Sequence, residues 1–257
     1  MTVQAQLQPG NAPFGVRAEL ARRFALAREA VETEAPRPSV RRMLGEFDVI
    51  AEPMRRPFRR LEIVEAANKQ TVMLLPGFAT HPVRMRYLAR QLETAGHTAK
   101  RWGMGFNLGV RPDTMDRLER RLLDLRRRSG RPVVLLGWSL GGIFARELAK
   151  RHPAAVGKVI TMGSPFSGDP RANNVWRIYQ FIAGHSVDAP PIEAELSLKP
   201  PVETVALWSP RDGVVSPRSA CGQAHERDRA IALRCTHIGF SYSPEAVHAV
   251  LRELDRS

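Results

Sequence analysis

Three observations predict an α/β protein with a mostly parallel central sheet and helices on both faces. Short apolar runs alternate with helix-like segments from residue 71 onward. A glycine-rich turn, Gly137-Trp138-Ser139-Leu140-Gly141-Gly142, joins one such run to a helix. Two further polar residues, Asp212 and His237, each fall just past another run, where a parallel sheet carries its reactive groups.

The elements follow in chain order. Residues 71–75 read as a buried strand. Residues 82–94 read as a helix, with Met85, Leu88, Ala89 and Leu92 on one face and Gly96 as its stop. A short strand at 97–102 and a helix at 112–129 come next, then the strand 133–136 before the glycine-rich turn. Strands at 158–162, 202–208 and 230–235 and a closing helix at 244–254 complete the alternation. Residues 166–200 fall between two strands and hold Val175, Trp176, Ile178, Tyr179, Phe181 and Ile182. That is too apolar for a plain exposed loop, so the segment is core packing or a small cap. Residues 1–60, broken by Pro9, Pro13, Pro36, Pro38, Pro53 and Pro57, read as an extension packing on a domain of residues 61–257. Within it, 16–32 is an amphipathic helix candidate, with Leu20, Phe24, Ala27 and Val31 at helical spacing.

Composition narrows the function classes. A chain of 257 residues with 43% hydrophobic and 25% charged residues suits one globular α/β domain. No apolar run approaches the roughly 18 residues that span a bilayer, and residues 1–10 lack the layout of a secretory signal. The expectation is therefore a cytoplasmic protein. Cys221 and Cys235 make neither a metal motif nor a disulfide framework and read as two unlinked thiols, with pairing left open. The net charge of +13 is uneven: residues 71–160 hold 17 Lys+Arg against 6 Asp+Glu. Arg117, Arg120, Arg121, Arg126, Arg127, Arg128 and Arg131 carry much of it, several at helical spacing, which reads as a solvated helix face. The alternative is weak contact with an anionic membrane surface. No nucleic-acid module accompanies the charge, so no nucleic-acid partner is expected.

The chemistry rests on order and placement. G-x-S-x-G between a strand and a helix is a nucleophile elbow, which holds a serine hydroxyl proud of the sheet. Gly142 with no Lys after it argues against a phosphate-cradling loop; no cofactor or metal is implied. Serine is a poor nucleophile until a base takes its proton and an acid orients that base. The elbow requires the order Ser, then Asp or Glu, then His, and Ser139, Asp212 and His237 supply it. The other histidines, His81, His97, His152, His185, His225 and His248, and the acids Asp169, Asp188, Glu203 and Asp228 lack one or both conditions. An oxyanion formed on attack needs two donors: the Leu140 N–H and, from the turn Leu75-Pro76-Gly77-Phe78-Ala79-Thr80, the Phe78 N–H, with Ala79 second. Ala79, Trp138, Phe166 and Trp176 are candidate substrate-pocket walls, and Met104, Phe106 and Leu108 offer another.

These segments, together with Met162-Gly163-Ser164-Pro165-Phe166, Asp212-Gly213-Val214-Val215 and His237-Ile238-Gly239-Phe240, resemble the α/β-hydrolase superfamily, in its bacterial lipase/esterase-like branch. The resemblance covers about residues 70–255. It implies cleavage of small-molecule or lipid carboxylic esters through an acyl-enzyme, without a metal. Pro76-Gly77-Phe78 stands where relatives commonly carry a His-Gly oxyanion signature. An amidase, thioesterase or acyltransferase on the same three residues is the alternative enzyme; a hydrolase-like protein binding membrane surfaces is the alternative outside enzymes. Natural substrate and oligomeric state have no signature in the sequence.

Overall fold

The computed structural model describes residues 16–28, 37–55, 61–187 and 195–256. Six strands, β1 (Thr71–Leu75), β2 (Thr98–Arg101), β3 (Val133–Trp138), β4 (Val156–Met162), β5 (Glu203–Trp208) and β6 (Arg229–Ala232), pair in the order β2-β1-β3-β4-β5-β6. Every pairing between them is parallel. The chain therefore reverses its direction of travel between β1 and β3. Such a switch point opens a crevice beyond the strand ends.

Nine α-helices are described: α1 (Val16–Arg28), α2 (Val40–Gly45), α3 (Glu52–Arg55), α4 (Arg86–Thr94), α5 (Thr114–Ser129), α6 (Leu140–Arg151), α7 (Trp176–Ala183), α8 (Pro217–Cys221) and α9 (Pro244–Asp255). Side chains alternate across a pleated strand, and the core divides accordingly. Val72, Leu74, Val134, Leu136, Ile160, Met162, Val205 and Leu207 face α4 and α9, burying Leu88, Leu92, Val247 and Val250. Met73, Leu75, Val133, Leu135 and Val159 face α5 and α6, burying Leu118, Leu122, Leu125, Phe144 and Leu148. The α5 arginines Arg117, Arg120, Arg127 and Arg128 lie on its solvent face.

Three local outcomes differ from expectation. Residues 82–85 form a 3-10 turn, capped by His81, before α4 begins. The stripe expected on the first helix does not bury: Leu20 and Phe24 stay 44% and 51% exposed. Helix α1 rests on α7, an outer helix, and polar contacts do much of the holding. Arg23 donates to the Ile182 carbonyl (2.8 Å) at the C-terminal end of α7, where a cation is favoured. Arg177 and Gln180 of α7 donate back to the Ala27 and Leu26 carbonyls; Val31 lies outside the described residues. Third, the proline-punctuated stretch after residue 37 is ordered into α2, a 3-10 turn (Glu46–Ile50) and α3. Both thiols are free, and burial, acting first, pushes the Cys235 thiol up to about 12. Among the described residues no helix is long and apolar enough to cross a membrane.

One buried cation connects the core to the crevice. Arg146 of α6, 1% exposed, donates to the carbonyls of Leu196, Ser197, Leu198 and Glu226. Its guanidinium lies 4.1 Å from the Phe166 ring centroid. Burial pulls its pKa down to about 10, against the nearby charges of Glu226 and Glu147, which raise it. Replacing Arg146 with Ala leaves these carbonyls without a donor and opens a void. The expected cost is about 3 kcal/mol, read from denaturant unfolding of the two proteins.

Candidate active site

Ser139 sits between β3 and α6 at φ 54°, ψ −123°. Only two non-glycine residues among those described have positive φ, Ser139 and Ala79. They occupy the two turns that flank the switch point, at the ends of β3 and β1. Strain of this kind costs of order 1–3 kcal/mol per residue and persists where packing over-determines it. Here the packing is backbone on backbone. A Cβ on Gly137 would overlap the Gly141 carbonyl, and one on Gly141 would overlap the Leu75 carbonyl. The elbow glycines are thus required for close approach, while the positive φ falls on the serine itself.

His237 and Asp212 meet beside this turn. Asp212 follows β5 and is 1% exposed; His237 follows β6 and is 4% exposed. The His237 Nδ1 lies 2.7 Å from Asp212 Oδ2. The other oxygen, Oδ1, accepts the N–H groups of Val214 and Val215, each at 2.8 Å, which fixes the carboxylate plane. Burial drives the imidazole towards its neutral form, but the charge of Asp212, its hydrogen bond and the charge of Glu46 outweigh it. The His237 pKa is raised above the ordinary 6.5.

Two contacts tie this pair to the elbow. The Ser139 N–H bonds the Met162 carbonyl at 2.8 Å. The next residue, Gly163, approaches both partners: a Cβ there would lie 2.9 Å from Asp212 Oδ2 and 3.1 Å from His237 Nδ1. Trp138, beside the serine, donates its indole N–H to the His237 carbonyl at 3.0 Å, and the two rings lie 5.7 Å apart.

The turn after β1 lies against the elbow, a Cβ on Gly77 being 3.3 Å from the Ser139 Cβ. The Ala79 N–H is committed to the Asn107 carbonyl at 2.7 Å. This favours Phe78 over Ala79 as the second donor expected beside Leu140. Asn107, fully buried, pins the turn from three sides. Besides its carbonyl bond to Ala79, its side chain donates to the Pro76 carbonyl (2.8 Å) and its N–H to the Thr80 carbonyl, while the side-chain oxygen accepts the Gly109 N–H (3.2 Å) of its own loop.

Above Ser139 opens a cleft of about 110 Å³, whose lining includes Phe78, Leu140, Ile143, Trp176, Tyr179 and Leu196. Of the candidate walls, Trp176 lines this cleft, and Phe78 lines it too. The other three expected walls stand elsewhere. Trp138 lies behind His237, bonded to its carbonyl. Phe166 is 1% exposed and packs beneath Arg146 with Ile143 and Ala206. Ala79 turns back towards Asn107. Of the alternative wall, Phe106 is 62% exposed and Leu108 37%; Asn107 between them is the residue that points inward.

Sequence reasoning missed Asn107, and it missed Glu46. Glu46 opens the 3-10 turn after α2 and is 7% exposed. Its Oε1 accepts the N–H groups of Gly213 (2.9 Å) and His237 (2.8 Å), and its Oε2 accepts the Ile238 N–H (2.9 Å). Neither residue belongs to a recognisable motif; Glu46 lies far upstream of every strand. Among the acids weighed earlier, Glu203 is engaged with Lys158 and Arg229, and Asp228 holds the Thr204 N–H and Lys199. Among the described residues no cluster of metal-ligating side chains occurs.

A family model described as serine aminopeptidase, S33 (Hydrolase_4) matches residues 66–203. The chain belongs to this α/β-hydrolase family. Among curated proteins, a 62-residue stretch is 42% identical to the biotin biosynthesis bifunctional protein BioHC of Teredinibacter turnerae. That stretch is 24% of this chain and spans 10% of the relative's length. Solved structures share the fold. A Bacillus licheniformis lipase, BlEst2, matches with TM-score 0.56 at 14% identity, over 76% of this chain and 96% of that one. Lipase B of Aspergillus fumigatus matches with TM-score 0.54 at 18% identity, over 74% and 53%.

Asn107→Ala removes the donor to Pro76 and the acceptor for Gly109 while leaving the core intact. It is expected to cost about 2 kcal/mol of stability, read as a shift in urea midpoint with an unchanged m-value.

Proposed function

We propose that this protein is a serine hydrolase that cleaves carboxylic esters bearing an apolar acyl group, with Ser139 as nucleophile, His237 as base and Asp212 as orienting acid. The observation that carries the reading is the buried 2.7 Å Asp212–His237 pair set beside a strained serine at a strand-to-helix turn. His237 takes the Ser139 hydroxyl proton as Oγ attacks the acyl carbon. Asp212 holds the imidazole by its Nδ1 side and stabilises the imidazolium. The oxyanion is received by the N–H groups of Leu140 and Phe78, aided by the N-terminal end of α6. His237 then returns its proton to the leaving alkoxide, and an alcohol departs. Water, deprotonated by the same imidazole, attacks the acyl-enzyme; the acid is released and Ser139 regains its proton.

The cleft supports an apolar acyl group over an amino-terminal peptide. An aminopeptidase must hold a substrate ammonium, which calls for a carboxylate or several aligned acceptors. The described lining has no Asp or Glu; its polar side chains are Ser139, Asn173 and Tyr179. Helix α7 contributes Trp176 and Tyr179 to the lining, so within the segment 166–200 this helix acts as a cap that excludes water from the acyl site. Residues of the first 60 then serve as a brace, α1 holding α7 from outside.

Ser139→Ala is expected to lower turnover of p-nitrophenyl butyrate by at least about 10³-fold, while leucine p-nitroanilide is a poor substrate of the wild type. Retained ester turnover in the variant, or anilide cleavage faster than ester cleavage, refutes the assignment. The pH dependence has a defined sign. His237 must be neutral to accept a proton, and its pKa is raised, so the acid limb of kcat/KM has its midpoint above 6.5. The same shift means that protonated His237 stabilises the fold below about 6.5, an advantage lost as pH rises through the folded-state value. Activity at constant ionic strength from pH 5 to 9 measures the limb.

A further inference from the structure

Asp212 and His237 belong to separate loops, after β5 and after β6, which Ser209 Oγ joins near the strand ends by donating to the Cys235 carbonyl (2.6 Å); the residues at and beside the pair need a further tie. One external group bonds both. Glu46 Oε1 is shared by the N–H groups of Gly213, next to Asp212, and of His237 itself, while Oε2 takes the following N–H, of Ile238. A carboxylate that accepts three main-chain N–H groups in a buried site makes strong, directional bonds. The rest of the arm fits closely around it. A Cβ on Gly213 would overlap the Arg42 carbonyl. Asn174 bridges the Pro38 carbonyl (3.0 Å) and the Gly213 carbonyl (2.8 Å).

We propose that Glu46 is a positioning residue of the active centre, and that the arm of residues 37–55 is a working part of that centre instead of a separate appendage. The inference rests on the assignment of Asp212 and His237 given above. By sharing one oxygen between the two loops, Glu46 sets the distance between acid and base. It also adds a second negative charge behind the imidazole. The charged groups that face His237 are Asp212 and Glu46. Asp48 and Glu52 of the same arm act on the Tyr242 hydroxyl beyond them, and the buried Cys235 thiol lies across from Asp212. No side chain in this set is a cation, so removing the Glu46 charge leaves the imidazolium with less support.

The test compares wild type, Glu46→Gln and Glu46→Ala in the full chain. It records kcat and KM for p-nitrophenyl butyrate from pH 5 to 9, thermal melting, and the titration of the His237 ring by NMR, assigned with His237→Asn. Gln keeps an acceptor oxygen for Gly213 and His237 but loses the charge and the acceptor for the Ile238 N–H. We expect Glu46→Gln to retain kcat within about fivefold while its acid limb and its His237 titration both move to lower pH. Glu46→Ala is expected to lose about 10- to 100-fold in kcat with KM within twofold, since misplacement of about 1 Å can cost that much. Lower melting temperatures with wild-type kcat, limb and ring titration in both variants would make Glu46 a tether alone and overturn the proposal. If Glu46→Ala does not fold, Glu46→Gln decides by the same two shifts. If wild-type turnover survives Ser139→Ala, the hydrolase assignment fails, and the ring titration, which needs no turnover, still tests Glu46: an unmoved His237 titration overturns its role.

Discussion

The site depends on main chain packed directly against main chain. The first turn of α6 lies so close to the end of β3 on one side and the end of β1 on the other that residues 137 and 141 have no room for a Cβ. Ser139, between these contacts, takes a positive φ. The same packing brings the turn after β1, with its own strained Ala79, against the serine. A single strained residue in a loosely packed turn would relax. Two facing each other across the switch point are held by the buried strands β1 and β3 and by Phe144 and Leu148 of α6.

Around this contact, buried polar groups convert the sheet's general geometry into a particular cleft. Asn107 holds the turn after β1 through three hydrogen bonds, to the main-chain groups of Pro76, Ala79 and Thr80. Arg146 collects the carbonyls of residues 196–198 and places Leu196 at the cleft. Glu46 collects main-chain N–H groups from the two loops that carry Asp212 and His237. In each case one residue satisfies several backbone groups that no sheet or helix could pair. Burying such a group costs free energy that its hydrogen bonds must offset.

Electrostatics and burial pull in opposite directions at His237. Burial alone favours a neutral imidazole; Asp212 and Glu46 favour the charged one and win. Under the proposed mechanism, a base whose protonated form is stabilised is suited to accept a proton during attack and return it to the leaving group. Two carboxylates reach one histidine from different parts of the chain, one beside it in the sheet and one far upstream.

The sequence by itself determined the alternation of strands and helices, the elbow, and the order of Ser139, Asp212 and His237. These are local facts: hydrophobic period, a glycine pattern, and a polar residue at the end of an apolar run. Strand 71–75 matches its observed bounds, and most other ends shift by one to three residues, because end residues pair according to their neighbours in the sheet. Tertiary structure alone decided the rest. Trp138 adjoins the serine and Phe166 follows the end of β4, and both are aromatic, yet neither lines the cleft, since strand pleat and loop direction set where a side chain points. Residues 37–55 have no regular hydrophobic period, and what orders them is a partner: the backbone of loops that the chain builds about 170 residues later. Hydrogen bonds to main-chain N–H groups place no demand on the identity of the donor residue, so a contact such as that of Glu46 leaves no pattern in the sequence to be read.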